Sequence, residues 1–389
     1  MDFANVTDIT IPEGSVEKIT ETVGGRVLWE KNKLADLTKA HWQMIDTTNF
    51  IAIDKIDNMR GFGFIDTGDG VEVFSMYDGD GSRFHLNTNG NLVNRYILSD
   101  EDGDVNSVVT SGDIDPISKV WCVAARGGKY AMSSNSIWIE LPALGSGENT
   151  IYSCSWSPTL KSFCILGKSG SYLIDTQGNI TGQKYTQIKT SDMTESQYPR
   201  TLAWSDKLKL FAGGIGGTSS TDKNVIWLSS DGLNWQQVTI PILGDITSNM
   251  LLRDIIWFPE LEKFVTLCTS GTSDDNNLKV TFYSSSDGKN FEYVSSLSAE
   301  DAGVAGGFGN SLHYSPKQQA LLFMNQNTSF LTRDLISWTN IPYPSEGLKQ
   351  SGYPYHVIWS NSFNAFIAAR YSPAFGPSNS NRKIAKLVF

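Results

Sequence analysis

The chain has 389 residues, 40% of them apolar and 19% charged, with a formal charge of -10 and a pI near 5.0. So acidic a chain, without a basic run, is a poor partner for nucleic acid, because clustered Lys and Arg are needed to neutralise a phosphate backbone. The 35 glycines and 19 phenylalanines favour short strands and turns over long charge-paired helices.

Residues 1–37 form a distinct N-terminal segment. The first eight residues carry neither a basic n-region nor a long apolar stretch, so neither a signal peptide nor a membrane span is expected. Ile9 to Val16 and Val23 to Trp29 are two extended stretches, with turn chemistry at Pro12, Glu13, Gly14, Gly24 and Gly25. Val16, Ile19, Val27 and Trp29 give this unit one apolar face. It is too small to build much of a core and is expected to pack on the main body or on a partner.

From about residue 38 a hairpin repeats. It is clearest as Trp156-Ser-Pro-Thr-Leu-Lys-Ser-Phe163 and returns at Trp204 to Phe211, Trp257 to Phe264 and Trp359 to Phe366. Weaker copies run Phe64 to Val71, Ile114 to Trp121 and Tyr314 to Leu321. In the clearest copy Pro158 suits the turn, since its ring fixes φ and its missing N–H would weaken a strand interior. The uneven spacing of roughly 40 to 60 residues, with several short strands per unit, predicts propeller blades.

A second recurrent turn follows in each unit. It appears as Ser229-Ser-Asp-Gly-Leu-Asn-Trp235, Ser285-Ser-Asp-Gly-Lys-Asn-Phe291 and Thr332-Arg-Asp-Leu-Ile-Ser-Trp338, with a decayed copy at Ser133 to Trp138. Asp accepts hydrogen bonds from the following backbone, Gly tolerates positive φ, and the aromatic covers the neighbouring sheet. Two units use a different turn, Asp175 to Ile180 and Asn87 to Leu92.

The last unit supplies only three strands, Tyr355 to Trp359, Ala365 to Tyr371 and Ile384 to Phe389. Trp42-Gln-Met-Ile45 resembles the outer strand Trp235-Gln-Gln-Val238 and is expected to be the missing fourth. The expectation is therefore an all-β chain: residues 38–389 form a seven-bladed β-propeller closed by an N-terminal strand, and residues 1–37 form a short β appendage.

Two resemblances accompany these patterns. The Asp turns resemble the Asp-box of sialidase-type propellers, one residue shorter between Asp and the aromatic. The segment Ile11, Pro12, Glu13, Gly14, Val16, Ile19 with Gly25, Val27, Leu28, Trp29 resembles the leader of tail and virion accessory proteins from bacteriophages of Gram-positive bacteria. That likeness implies a virion protein, assembled in the host cytoplasm, with Ile11, Pro12, Glu13, Gly14, Val16, Ile19, Val27, Leu28 and Trp29 docking onto other virion proteins.

Catalytic chemistry is sparse in the sequence. The four histidines His41, His85, His313 and His356 lack metal-ligand spacing, and no G-x-S-x-G elbow is present. The arginines are scattered, without the cluster a sialidase would need, and the chain is expected not to be an enzyme. Asp78-Gly-Asp80 and Asp100 to Asp104 do not complete a calcium loop and are expected as solvated turns, with calcium the alternative. Cys122, Cys154, Cys164 and Cys268 have no C-x-x-C spacing and are expected as reduced, buried thiols.

The longest irregular insertions join second and third strands, at Gly213 to Asn224, Thr269 to Asn277 and Ser372 to Arg382, and all fall on one face of such a disc. Tyr371, Phe375 and Asn379 are the candidate ligand residues there, offering an aromatic surface and an amide to a host-surface glycan. A purely architectural virion protein and a glycan-cleaving enzyme are the competing readings.

Overall fold

The computed structural model describes residues 18–19, 29–30, 34–44, 61–66, 72–77, 82–86, 92–97, 109–118, 120–125, 128–132, 139–142, 151–167, 170–185, 198–216, 225–241, 251–270, 279–298, 311–325, 328–344, 356–360, 364–369 and 384–389. Among them every regular element is a strand, apart from two short 3-10 turns at Leu37–Lys39 and Pro259–Leu261. The chain is all-β.

Near the N-terminus, β1 (Lys18–Ile19) pairs antiparallel with β2 (Trp29–Glu30), and β3 (His41–Met44) follows. The chain then makes four-stranded antiparallel sheets in succession. Sheet 1 contains β4 (Gly61–Asp66), β5 (Glu72–Tyr77), β6 (Ser82–Leu86) and β7 (Leu92–Ile97). Sheet 2 contains β8 (Val109–Ile114), β9 (Trp121–Ala125), β10 (Lys129–Met132) and β11 (Ile139–Glu140). Sheet 3 contains β12 (Ile151–Ser157), β13 (Ser162–Gly167), β14 (Ser171–Ile174) and β15 (Ile180–Lys184). Sheet 4 contains β16 (Tyr198–Ser205), β17 (Leu210–Gly216), β18 (Val225–Ser229) and β19 (Gln236–Thr239). Sheet 5 contains β20 (Leu251–Phe258), β21 (Lys263–Ser270), β22 (Lys279–Ser285) and β23 (Glu292–Ser298). Sheet 6 contains β24 (Ser311–Ser315), β25 (Ala320–Met324), β26 (Thr328–Thr332) and β27 (Thr339–Pro342). Sheet 7 contains β28 (His356–Ser360), β29 (Ala365–Ala369) and β30 (Ile384–Val388), and its fourth strand is β3.

The pairing of β3 with β30 joins residues far apart in sequence, with His41 opposite Val388 and Trp42 opposite Leu387. It saturates one edge of β30 that would otherwise carry unpaired backbone groups. Trp42 is buried, its indole N–H donates to Ser329 Oγ at 2.8 Å in sheet 6, and its ring meets Tyr343 edge-on at 6.0 Å.

The apolar cores lie between consecutive sheets. One cluster joins Cys122, Tyr130 and Met132 of sheet 2 to Trp156, Phe163 and Tyr172 of sheet 3. Others join Leu166 to Val225 and Trp227, Ala212 and Leu228 to Phe264 and Tyr283, Phe282 to Phe323, and Leu322 and Leu331 to Phe366 and Leu387. Both faces of these sheets are therefore covered, which is why β13, β18 and β25 are buried along their whole length. First strands also touch in order: β8 meets β12, β12 meets β16, β16 meets β20, β20 meets β24, β24 meets β28, β28 meets β4, and β4 meets β8.

The recurring aromatic pair is a cross-strand pair in this core. Trp156 faces Phe163, Trp204 faces Phe211, Trp257 faces Phe264 and Trp359 faces Phe366, with ring centroids at 4.6, 4.6, 5.1 and 5.2 Å. Sheet 1 departs from the expected frame. Phe64 pairs with Phe74, across a longer turn, and Val71 lies outside the described residues.

Pro158 opens its hairpin turn as expected, and Pro259 opens the equivalent 3-10 turn of sheet 5. Lys161, Lys209, Glu262, Gln319 and Asn364 occupy one equivalent position, and all have φ between 48° and 52°. In all five of these turns the left-handed residue is one other than glycine. The turn's other support is a small polar side chain just after the first aromatic position: Ser157, Ser205 and Ser315 each accept a hydrogen bond from the backbone three residues on.

The loop boundaries also shift. β17 continues to Gly216 and β21 to Ser270, so the insertions expected at Gly213 to Asn224 and Thr269 to Asn277 contract to 217–224 and 271–278. Backbone pairing continues through Gly214 opposite Thr201 and Thr269 opposite Leu251. Ser372 to Arg382, the decayed turn at Ser133 to Trp138, the turn at Asn87 to Leu92 and the acidic runs at Asp78 and Asp100 lie outside the described residues.

Candidate functional site

The Asp turns are built as their residues dictate. Asp231 Oδ1 accepts from the backbone N–H of Leu233 at 2.9 Å and Asn234 at 2.7 Å, and from Ser229 Oγ at 3.0 Å. Asp287 repeats this with Lys289, Asn290 and Ser285, and Asp334 with Ile336, Ser337 and Thr332. Partial burial raises the Asp231 carboxyl, but the hydrogen bonds from Asn234, Leu233 and Ser229 outweigh it and bring it down to about 2.

The next residue, Gly232, Gly288 or Leu335, has φ of 72°, 75° or 65°. A Cβ on Gly232 would meet Leu173 Cδ2 at 2.8 Å and Cys164 Sγ at 3.3 Å, so this turn is pressed onto the preceding sheet. Trp338, in the Asp turn of sheet 6, likewise covers the sheet before its own, stacking on Phe282 of sheet 5 at 4.3 Å. These turns are scaffold.

The N-terminal strap defines one side of the molecule. Ala35 N–H donates to Gln318 Oε1 at 3.2 Å, and Arg333 donates through its guanidinium to Ala35 O at 2.8 Å and to Gln318 O at 3.0 Å. Gln318 stands in the first hairpin turn of sheet 6 and Arg333 in its Asp turn. The chain therefore passes residue 35 on the side of the short turns, opposite the ends where β17 and β21 finish.

At those opposite ends the first strands share a β-bulge. The ladder gains one extra residue at Thr110 in β8, Tyr152 in β12, Arg200 in β16 and Arg253 in β20. Bulges bend a strand and re-aim its side chains, and they concentrate beside binding sites. The residues after three of these bulges, Ser111, Thr201 and Asp254, tie their sheets to a neighbour. Ser111 Oγ accepts from Cys154 N–H at 3.0 Å, and Thr201 Oγ1 accepts from Ile255 N–H at 3.3 Å. Asp254 Oδ2 accepts from Leu312 N–H at 2.8 Å, its Oδ1 from its neighbour Ile255 N–H at 2.8 Å, and Oδ1 also accepts a hydrogen bond from the Thr201 hydroxyl. Burial raises the Asp254 carboxyl to about 6 despite these donors. Asp113 is a second buried latch: its Oδ2 accepts from Trp156 N–H at 2.7 Å, and burial again raises its carboxyl.

Arg253 is half-buried and donates through Nε to Thr269 Oγ1 at 2.9 Å, next to the strand end that opens into 271–278. Neither bulge arginine stood out in the sequence, because the equivalence of Arg200 and Arg253 rests on strand register. The signal that could have found them is the hairpin frame itself, since both stand four residues before its tryptophan.

Of the residues expected to dock, Ile19 and Trp29 face each other across β1 and β2. Ile11, Pro12, Glu13, Gly14, Val16, Val27 and Leu28 lie outside the described residues, as do Tyr371, Phe375 and Asn379. Among the described residues no group of three His, Cys, Asp or Glu is placed to hold a metal ion. Among the described residues no helix is long and apolar enough to cross a membrane. Cys122, Cys154, Cys164 and Cys268 are free thiols, all buried. His313 contacts Ser311 Oγ at 2.7 Å within its own strand.

No protein-family model matches this chain, and no curated protein matches it. The functional reading rests on its own residues and geometry.

Proposed function

We propose that the chain is a seven-bladed β-propeller of a bacteriophage virion, docked through its N-terminal segment and presenting its loop-bearing face to a host-surface glycan. The propeller reading is supported by the succession of four-stranded sheets, by cores that lie between consecutive sheets, and by first strands that touch in an order returning from β28 through β4 to β8. The phage assignment rests on the leader pattern at Ile11 to Ile19 and Gly25 to Trp29.

The observation that carries the functional reading is the strap at Ala35. It holds the chain at residue 35 on the short-turn side, while β17 and β21 end on the other side. A molecule fixed through residues 1–33 would point the opposite strand ends outward, as a recognition protein must.

The experiment is deletion of residues 1–33, which spares Ala35 and the packed Leu37. The truncated protein should remain folded and bind host cells, but should be absent from assembled particles. Normal incorporation would refute the docking role, and failure of the full chain to bind host cells would refute the recognition role.

A further inference from the structure

Two of the four thiols share one interface. Cys122 in β9 and Cys154 in β12 belong to the same apolar cluster, the one that joins sheet 2 to sheet 3. Two hydrogen bonds clamp β12 onto sheet 2 at this point: Ser111 Oγ accepts from Cys154 N–H at 3.0 Å, and Asp113, the cross-strand partner of Cys122, accepts from Trp156 N–H at 2.7 Å. The first strand of sheet 3 thereby comes within 8 Å of β9, Cα to Cα, as well as of β8. The Cys154 and Cys122 thiols hydrogen-bond to each other. The remaining thiols are turned elsewhere. Cys164 Sγ donates to Gly232 O in sheet 4 at 3.7 Å, and Cys268 packs between sheets 4 and 5.

We propose that Cys122 and Cys154 are a dithiol site that a hydroperoxide converts into a disulfide, stapling sheet 2 to sheet 3. The pair lies in the scaffold and does not depend on the recognition role. A disulfide needs Cα atoms roughly 4.4 to 6.8 Å apart and sulfurs that face each other, and the two clamping hydrogen bonds hold β12 and β9 near that separation. Sheets 2 and 3 share no backbone ladder, so the bond would add a covalent tie where only side-chain contacts and the two clamps act, and it would close the loop 122–154 in the unfolded chain. Hydrogen peroxide is small and neutral and reaches a sulfur that bulkier reagents do not. Cys154, 5% exposed against 0% for Cys122, takes the first step. Its thiolate sulfur bonds to one peroxide oxygen, the O–O bond breaks, and hydroxide leaves. The Cys122 sulfur then attacks the sulfenic sulfur; the S–S bond forms, the S–O bond breaks, and the oxygen departs as water with the Cys122 proton. In sum two thiols lose two electrons and two protons, and one peroxide becomes two waters. The hydrogen bond with Cys122, together with burial, holds the Cys154 thiol well above its ordinary range, so its thiolate is scarce near neutrality and the reaction quickens with pH.

The test uses the purified, fully reduced full-length protein, treated with hydrogen peroxide at pH 8, then unfolded, alkylated and digested for peptide mapping. The expected product is a peptide pair joined through Cys122 and Cys154, with Cys164 and Cys268 alkylated. It should form about tenfold faster at pH 8 than at pH 7, as a scarce thiolate requires. The oxidised protein should melt about 5 °C higher than the reduced one, and dithiothreitol should reverse the gain. Four alkylated cysteines after prolonged treatment, sulfinic acid at Cys154 without a cross-link, or a disulfide to Cys164 would each overturn the site. A linked product with no rise in melting temperature would overturn the staple, and a rate indifferent to pH would overturn Cys154 as the thiol attacked first. In C154A the linked peptide and the peroxide-induced rise should both disappear; an undiminished rise in the folded variant counts against the pair. The mapping on wild type needs no variant and decides the matter even where C154A fails to fold.

Discussion

The Thr201 hydroxyl donates to the buried carboxylate of Asp254, and the same oxygen accepts from the backbone N–H of Ile255. With Leu312 N–H on the other carboxylate oxygen, one side chain links the first strands of sheets 4, 5 and 6. First strands of neighbouring sheets share no backbone ladder, so latches of this kind supply the polar component of an interface that is otherwise apolar.

This latch predicts a pH dependence. The Asp254 carboxyl is raised from 3.8 to about 6, so the folded protein binds a proton there more tightly than the unfolded chain does. Its contribution is greatest below pH 4 and is lost as pH rises through 6, by about 3 kcal/mol in all. Asp231 and Asp287 have lowered values and act with the opposite sign, losing their contribution as pH falls below about 4. Urea melts of wild type and D254N from pH 4 to pH 7 isolate the latch. Wild-type stability relative to D254N should fall across that interval, and a constant difference would contradict the assignment.

The Asp turns predict a graded loss. G288A places a Cβ where φ is 75° and 2.7 Å from Leu210 Cδ2, and should destabilise by about 2 kcal/mol from strain and overpacking together. D287A leaves the N–H groups of Lys289 and Asn290 to water and should cost about 1 kcal/mol. Chemical denaturation checks both, and a larger effect for D287A than for G288A would argue against the packing account.

The left-handed position in the first hairpin predicts a gain. Lys161 has φ of 52° and an exposed side chain, so K161G removes a backbone cost of about 1 to 2 kcal/mol while adding about 1 kcal/mol of unfolded-state entropy. A rise in stability of up to about 1 kcal/mol is expected. An ordinary surface position would lose stability on the same change, so the sign of the shift in melting temperature decides.

The thiols predict a protection pattern. Cys122, Cys164 and Cys268 are fully buried, and burial pushes the Cys268 thiol up to about 12. A thiol-specific reagent at pH 8 should label none of the four cysteines in the native state and all four in denaturant. Rapid native labelling would place a cysteine at the surface.

The strand repeat, the hairpin frame at Trp156 to Phe163 and the Asp turns could be read from the sequence because each is local: the aromatic spacing and the Asp-Gly chemistry are set within one hairpin. The partnership of Trp42 with the last strand was also legible, since an unpaired edge needs a cover and the chain offers one resembling segment. The left-handed Lys161 and Glu262 were not legible, because nothing in a Lys or Glu announces positive φ when the surrounding ladder imposes it. The extension of β17 and β21 into glycine- and threonine-rich stretches was hidden for the same reason, as pairing with β16 and β20 overrides weak local preference. The tertiary structure alone brought Thr201 beside Asp254, separated by a whole sheet in sequence, because their meeting depends on one extra residue in each first strand and on the packing of sheet 4 against sheet 5. Sequence determined the repeating unit through short-range turn chemistry and aromatic pairing. Register and sheet-to-sheet contact decided which side chains of separate units share a surface.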